Sequence, residues 1–177
     1  RHENALAIVG RHPNYAHRSD LAELEDYRKM LAHPKAVALG EIGLDFHWDF
    51  ATYDQQEQAL LAQLDLAEEL KVPVVFHCRE AYAALLDILQ GEPRKLRFLF
   101  HCFSGTQEDA ARALALGAFF GVDGPITYPK ADTLGQVVAS LPRDRVVLET
   151  DSPYMTPVPY RGKPNHPVNL PLIAEAL

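Results

Sequence analysis

Four short apolar segments, each leading into a histidine or a carboxylate, constrain the fold of this chain more than any other feature. The residues that follow these segments are Glu41, His77, His101 and Asp151. Short apolar runs of this kind are typical of strands buried on both faces of a sheet. The pattern therefore predicts four buried strands, each with one candidate metal ligand at its end. In the first of them, we expect the strand to stop at Glu41, between Gly40 and Gly43.

Segments with helical spacing separate these strands, and two further apolar runs, residues 5–10 and 118–122, complete a set of six. Alternation of strands and helices predicts an α/β fold with a parallel sheet. Ligands bind such sheets at the carboxyl ends of the strands, where the four candidate residues are expected. Six strand–helix units are two fewer than a closed (β/α)8 barrel needs, so an incomplete TIM-type barrel and an open sheet are the two alternatives.

The charge of the chain limits how it can bind a partner. The 177 residues carry a net charge of −7, whereas proteins that hold nucleic acid mainly through its phosphates are usually basic. A nucleic-acid substrate would therefore depend on metal ions and a few basic side chains. No apolar run is long enough to span a membrane, so we expect no membrane partner. Cys78 and Cys102 are predicted to be buried free thiols, which favours a reducing, cytoplasmic compartment.

Each candidate ligand has an ordinary structural explanation when it is considered alone. Glu41 could belong to an ion pair, the two histidines to the core, and Asp151 to a helix cap. Together, two histidines and two carboxylates at one edge of a sheet offer the nitrogen and oxygen ligands that zinc, manganese and related divalent ions take. Such ions make water nucleophilic at neutral pH. We therefore expect the four side chains to converge on divalent metal ions and to support hydrolysis.

The segments around these residues resemble the successive signatures of the TatD-type deoxyribonucleases. In chain order they are VGRHP at 9–13, GEIGLD at 40–45, HCR at 77–79, HCFSG at 101–105, ETDSP at 149–153 and RGKPNHP at 161–167. They extend over essentially the whole chain in the order of the family. The resemblance implies a distorted (β/α)8 barrel, a divalent metal site, and hydrolysis of phosphodiester bonds in DNA, often as a 3′-5′ exonuclease, with RNA as the alternative substrate.

The resemblance also implies a role for each residue. Glu41 would bridge two divalent ions (Mg, Mn or Zn), while His77 and His101 would bind one of them. Asp151 would bind the other and help to activate water, which makes Asp151 and Glu41 the catalytic residues. Asp45 would support the ligands. The implied contacts to substrate are Arg79, Arg161, Asn165 and His12.

One family feature does not occur in this sequence. The family begins with a strand that carries His-x-His, which supplies two more metal ligands, and no His-x-His is present here. We therefore expect an incomplete barrel that lacks its first two strands, in a single domain over residues 1–177 that is truncated at both ends.

Two other functions stay open at this point. A metal-dependent amide or ester hydrolase, such as a deacylase of aminoacyl-tRNA, would use the same activated water, because such water does not by itself select phosphorus over carbon. A non-catalytic barrel remnant that binds a partner is the other alternative.

Overall fold

The computed structural model of this chain describes residues 4–18 and 20–177. The chain divides into two compact units, with the boundary between Leu99 and Phe100. Strands alternate with helices in both units, and the described residues contain six strands. The predicted α/β class is therefore confirmed, whereas the absence of two barrel strands and the single domain stay predictions. No helix in these described ranges is long and apolar enough to cross a membrane.

The first unit is built around the strand Ala36–Asp45, which pairs in parallel with Ala7–Val9 on one side and Val74–Arg79 on the other. Its elements are β1 (Ala7–Val9), α1 (Leu21–Leu31), β2 (Ala36–Asp45), α2 (Tyr53–Leu70), β3 (Val74–Arg79) and α3 (Tyr82–Gly91), with a 3-10 helix at Pro13–Arg18. β4 (Phe98–Phe100) contains the division between the units. Helical spacing predicts Leu21 on the apolar face of α1, but its side chain lies outside the described residues.

Local sequence explains why α2 begins and how it packs. Thr52 and Gln55 form a capping box, in which each side chain accepts a hydrogen bond from the other residue's backbone N–H. The helix buries Leu60 and Leu64 completely or nearly so, as helical spacing predicts. Each fully buried aliphatic side chain stabilises the fold by about 1.5–3 kcal/mol. This face of α2 therefore provides much of the apolar support for the unit.

Glu41 lies within β2 and not at its end, so the prediction that the strand stops there is wrong. The strand continues to Asp45, and its register with β3 shifts between Gly40 and Ile42. The shift leaves Glu41 as an extra residue, as in a β-bulge, which re-aims a side chain without ending the strand. Gly43 has φ 141°, and a Cβ there would collide with the carbonyl oxygen of His77. Glycine at 43 therefore permits the close approach of β2 to β3.

The second unit contains two strands that pair in parallel and three α-helices. Its elements are α4 (Gln107–Ala115), β5 (Phe119–Val122), α5 (Asp132–Ala139), β6 (Val146–Leu148) and α6 (Leu170–Glu175), with 3-10 helices at Gly124–Thr127, Arg143–Arg145 and Pro167–Asn169. Thr106 and Asp109 form the predicted capping box of α4. Val122, Val138 and Ile173 pack together in its core.

Candidate metal centre

The first unit brings together three side chains of the types that bind metal ions. His12 follows β1, Glu41 lies at the irregularity of β2, and His77 is on β3. One possible ligand atom from each residue lies within 4.8 Å of those of the other two. All three are half-buried, which keeps them reachable from solvent. Neighbouring parallel strands place Glu41 and His77 side by side, as the sequence predicts.

The hydrogen bonds of His77 determine which ring nitrogen can bind a cation. Its Nε2 lies 2.7 Å from Oδ2 of Asp45, a buried carboxylate that is 1% exposed. An ionised carboxylate only accepts hydrogen bonds, so neutral His77 carries its proton on Nε2. Its Nδ1 then presents a lone pair and lies 3.8 Å from Oε2 of Glu41. This separation is too long for a hydrogen bond between the two atoms.

The spacing of these two atoms fits a shared metal ion. Two ligands of a tetrahedral ion, each about 2.1 Å from it, lie about 3.4 Å apart. The 3.8 Å separation of His77 Nδ1 and Glu41 Oε2 is close to that value. A neutral imidazole with a carboxylate is also the donor set that Zn, Mn and related ions take. The residues present in this unit therefore fit a divalent metal ion.

His12 is positioned differently from His77. Its ring centroid lies 4.2 Å from that of His77, so it borders the same group. The backbone N–H of Asn14 donates to Nδ1 of His12 at 3.1 Å, which leaves the proton of a neutral ring on Nε2. In this tautomer, Nε2 of His12 is a hydrogen-bond donor and not a metal ligand.

The second unit contains a similar pair, formed by His101 and Asp151. Nε2 of His101 lies 3.4 Å from Oδ1 of Asp151, and Nδ1 of His101 lies 2.9 Å from Oε2 of Glu149. Glu149 therefore corresponds to Asp45 of the first unit. It contacts Nδ1 of His101, the ring nitrogen that does not face Asp151. Each unit thus supplies one histidine and one carboxylate with ligand-like spacing. That all four predicted ligands share one centre stays a prediction.

Glu149 is embedded in a network that includes Cys102 and Asp123. The backbone N–H of Cys102 donates to Oε1 of Glu149 at 2.5 Å, and its Sγ lies 3.1 Å from Oδ2 of Asp123. Burial is the main reason that the pKa of Asp123 rises to about 6, and it also raises the pKa of the Cys102 thiol. Cys78 and Cys102 are both free thiols, as predicted, but only Cys78 is fully buried.

The predicted substrate contacts differ in what they touch. The guanidinium of Arg79 lies 5.8 Å from the ring centroid of Trp48, and that of Arg161 lies 4.2 Å from the ring centroid of Tyr128. Arg161 is exposed. Asn165 is buried, and its amide donates to the carbonyl oxygen of Thr150 at 2.6 Å. This bond connects Asn165 to the residue that precedes Asp151.

The sequence of this chain matches a known protein family. The family described as TatD related DNase matches residues 1–177. The chain belongs to this family. The sequence resemblance is therefore confirmed, and membership places the chain among the metal-dependent hydrolases.

Individual TatD relatives agree with this assignment. The chain is 36% identical over 172 residues to the metal-dependent hydrolase YabD of Bacillus subtilis, covering 97% of this chain and 68% of YabD. It is 39% identical over 175 residues to the 3′-5′ ssDNA/RNA exonuclease TatD of Edwardsiella piscicida, covering 96% and 67%. A crystal structure of YjjV, a TatD homologue from Escherichia coli, superposes with a TM-score of 0.91 at 33% identity, covering 99% of this chain and 69% of YjjV. The chain spans about two thirds of the length of these relatives.

Sequence reasoning gave no role to two acidic residues of this TatD-family chain. Glu149 and Asp123 both belong to the hydrogen-bonded network around His101. Glu149 directly follows the apolar run at 146–148, just as Glu41 follows an apolar run in the sequence, and that position was a usable signal. Asp123 directly follows the apolar run at 118–122, which is the same signal.

Replacement of Asp45 by asparagine tests the assignment of the His77 tautomer. If the asparagine oxygen keeps the backbone bonds of Asp45, its Nδ2 faces His77 Nε2 and moves the ring proton to Nδ1. The nitrogen that faces Glu41 then cannot bind a cation, and we expect the affinity for Mn²⁺ to fall about 10- to 100-fold. Calorimetric titration measures the affinity, and nitrogen chemical shifts report the tautomer.

The exposed Asp26→Asn variant is the control, because it makes the same chemical change on the surface of α1. It should bind Mn²⁺ like the wild type. An unchanged affinity in Asp45→Asn would show that this carboxylate does not orient the ring.

Proposed function

We propose that this TatD-family protein hydrolyses phosphodiester bonds of single-stranded DNA or RNA from the 3′ end, with two divalent metal ions as cofactors. The observation that carries the proposal is the geometry of His77. Asp45 holds Nε2, and Nδ1 faces Glu41 at 3.8 Å. The exonuclease name of the Edwardsiella relative supports the choice of substrate.

Residues of both units would have roles in metal binding and proton transfer. Glu41 and His77 would hold a divalent ion in the first unit, and His101 and Asp151 would hold one in the second. This division differs from the one the family resemblance implies, in which Glu41 bridges both ions and the two histidines bind the same ion. When bound, the ions supply Lewis acidity, which makes water nucleophilic at neutral pH and offsets charge on the phosphate. The carboxylate of Asp151 would accept the proton of the attacking water.

Substrate contacts would come from side chains that can donate hydrogen bonds. The bond from Asn14 to Nδ1 leaves the proton of a neutral His12 ring on Nε2, and this ring borders Glu41 and His77. It would donate to a non-bridging phosphate oxygen. Arg79 and Arg161 would add positive charge, which an acidic chain needs near its substrate.

The two free thiols support a cytoplasmic location, since free cysteines are typical of reducing compartments.

A substrate panel tests this function directly. Purified protein is incubated with single-stranded DNA, duplex DNA, RNA and acylated RNA, each with Mg²⁺, Mn²⁺ or Zn²⁺ and each with chelator. We expect the single strands to be shortened stepwise from the 3′ end, a ladder visible with a 5′ label, because exonucleases release terminal nucleotides. The chelator should stop the reaction.

Two outcomes of the panel would contradict the proposal. Deacylation of RNA with intact phosphodiester bonds would favour the ester hydrolase. Absence of turnover on every substrate, with every metal, would favour the non-catalytic barrel remnant.

A further inference from the structure

The loop between β2 and α2 exposes an unusual number of aromatic rings. We call residues 46–50 the aromatic loop. It contains Phe46, Trp48 and Phe50, which are 44%, 46% and 58% exposed. Single exposed apolar residues are ordinary, but three within five positions form a patch, and such patches often mark binding sites. None of the roles assigned above uses these rings.

Two of the rings already form a stack. The planes of Trp48 and Phe50 are 25° apart, and their centroids are separated by 5.7 Å. The guanidinium of Arg79 lies 5.8 Å from the Trp48 centroid, which is within the range of a cation–π contact. Flat aromatic surfaces suit flat rings that can stack on them, such as nucleobases.

Hydrogen bonds hold the aromatic loop in place at both ends. Gln56 of α2 is buried; its Oε1 accepts from the N–H of Asp45 at 2.8 Å, and its Nε2 donates to the carbonyl oxygen of Ala51 at 3.0 Å. His47 is bonded through Nδ1 to Glu80 at 2.7 Å. A loop fixed in this way presents its rings with little loss of conformational entropy on binding.

The carboxylate of Asp45 connects the aromatic loop to Glu41 and His77. Oδ1 of Asp45 accepts from the backbone N–H groups of His47 and Trp48 at 2.9 and 3.1 Å. Its Oδ2 is bonded to His77. One buried side chain therefore fixes the ring that faces Glu41 and the start of the aromatic loop. A ligand on the loop would be held at a fixed position relative to Glu41 and His77.

From these observations we propose that Phe50 and Trp48 form a stacking platform for the bases of single-stranded nucleic acid. The proposal rests on the proposed function and adds to it the way in which the strand is held. Every base has a π-face, so stacking tolerates any sequence. Bases in a duplex are already stacked on their neighbours, so the platform selects single strands.

The charges around the aromatic loop favour base contacts over phosphate contacts. The loop contains Asp49, and Glu80 and Glu57 are bonded to His47 and Tyr53 at its borders. The whole chain carries −7. These negative charges repel a phosphate backbone, and Arg79 beside Trp48 offsets them only in part. Stacking therefore has to supply most of the affinity.

The experiment measures binding of a short thymidine oligonucleotide by the full chain in the presence of EDTA, so that cleavage cannot occur. Trp48 is the single tryptophan in the sequence, so quenching of its fluorescence reports directly on the platform. Anisotropy of a labelled oligonucleotide gives an independent dissociation constant. We expect Phe50→Leu, which keeps an apolar side chain but removes the ring, to weaken binding about 5- to 100-fold.

Three comparisons make the result specific to stacking. Phe50→Tyr keeps the ring and should bind like the wild type. Met30→Ala removes an apolar side chain that is 50% exposed on α1, and it should also bind like the wild type. An abasic strand of equal length has no bases to stack, so the wild type should bind it about 5- to 100-fold more weakly than the thymidine strand. This last comparison uses the wild-type chain and needs no variant to fold.

The outcomes separate this inference from the proposed function. Equal binding by wild type and Phe50→Leu, or equal binding of the abasic and thymidine strands, would overturn the platform. If metal-dependent cleavage persists in that case, the proposed function stands without it, and the patch would suit a protein partner instead. If the wild type neither binds nor cleaves any strand, both proposals fail.

Discussion

Replacing Glu41 by alanine is expected to lower the rate of metal-dependent hydrolysis at least about 10³-fold, beyond the 10- to 100-fold typical of a residue that only supports a ligand. The reason is that Oε2 of Glu41 faces the lone pair of His77 Nδ1, and a cation held there loses its only carboxylate in this group of three residues. The measurement is the steady-state rate on whichever single strand the substrate panel identifies.

The fold should survive this substitution. The side chain of Glu41 is 30% exposed, so its removal leaves no large buried cavity. Far-ultraviolet circular dichroism and thermal unfolding should match those of Glu175→Ala, a control that removes an exposed carboxylate from α6. If Glu41→Ala keeps full activity while folded, the residue is not a metal ligand.

The second large effect is expected for Asp151→Asn. Asp151 has φ 50°, a left-handed conformation that asparagine tolerates better than most residues, so the substitution changes the charge with little backbone strain. Removing the negative oxygen next to His101 removes both the proposed metal ligand and the proposed proton acceptor. We expect kcat to fall about 10²- to 10⁴-fold while KM changes much less.

Asp144→Asn is the matched control, since it makes the same change at an exposed position of the same unit. It should leave kcat and KM as in the wild type. A rise in KM with unchanged kcat in Asp151→Asn would mean that this residue binds substrate uniformly and does not take part in proton transfer.

The sequence was most informative where residue spacing alone determines structure. Alternating apolar and helical segments predicted the six strands, because burial on both faces requires short apolar runs. The capping box of α4 was readable from Thr106 and Asp109, because it depends on residues three positions apart. Glu41 and His77 were predicted to lie close together, because adjacent parallel strands carry them.

Features that depend on contacts between distant segments could not be read in the same way. The bulge at Glu41 depends on the register between β2 and β3, which a single strand's sequence does not specify. The role of Glu149 depends on its bond to His101, which lies 48 positions earlier in the sequence. The bond from the amide of Asn165 to the carbonyl oxygen of Thr150 is another such contact, and the predicted contact of Asn165 with substrate stays a prediction. The stacking of Trp48 on Phe50 likewise follows from loop geometry and not from residue type.

Calorimetric titration of Mn²⁺ into the wild-type chain and into Glu41→Ala is the most direct test of the central claim, which is that Glu41 and His77 hold a divalent cation. We predict saturable binding by the wild type and a large loss of affinity in the variant, with an unchanged thermal unfolding transition in the absence of metal. Equal affinity of the two proteins, or no saturable binding by the wild type, would contradict the claim.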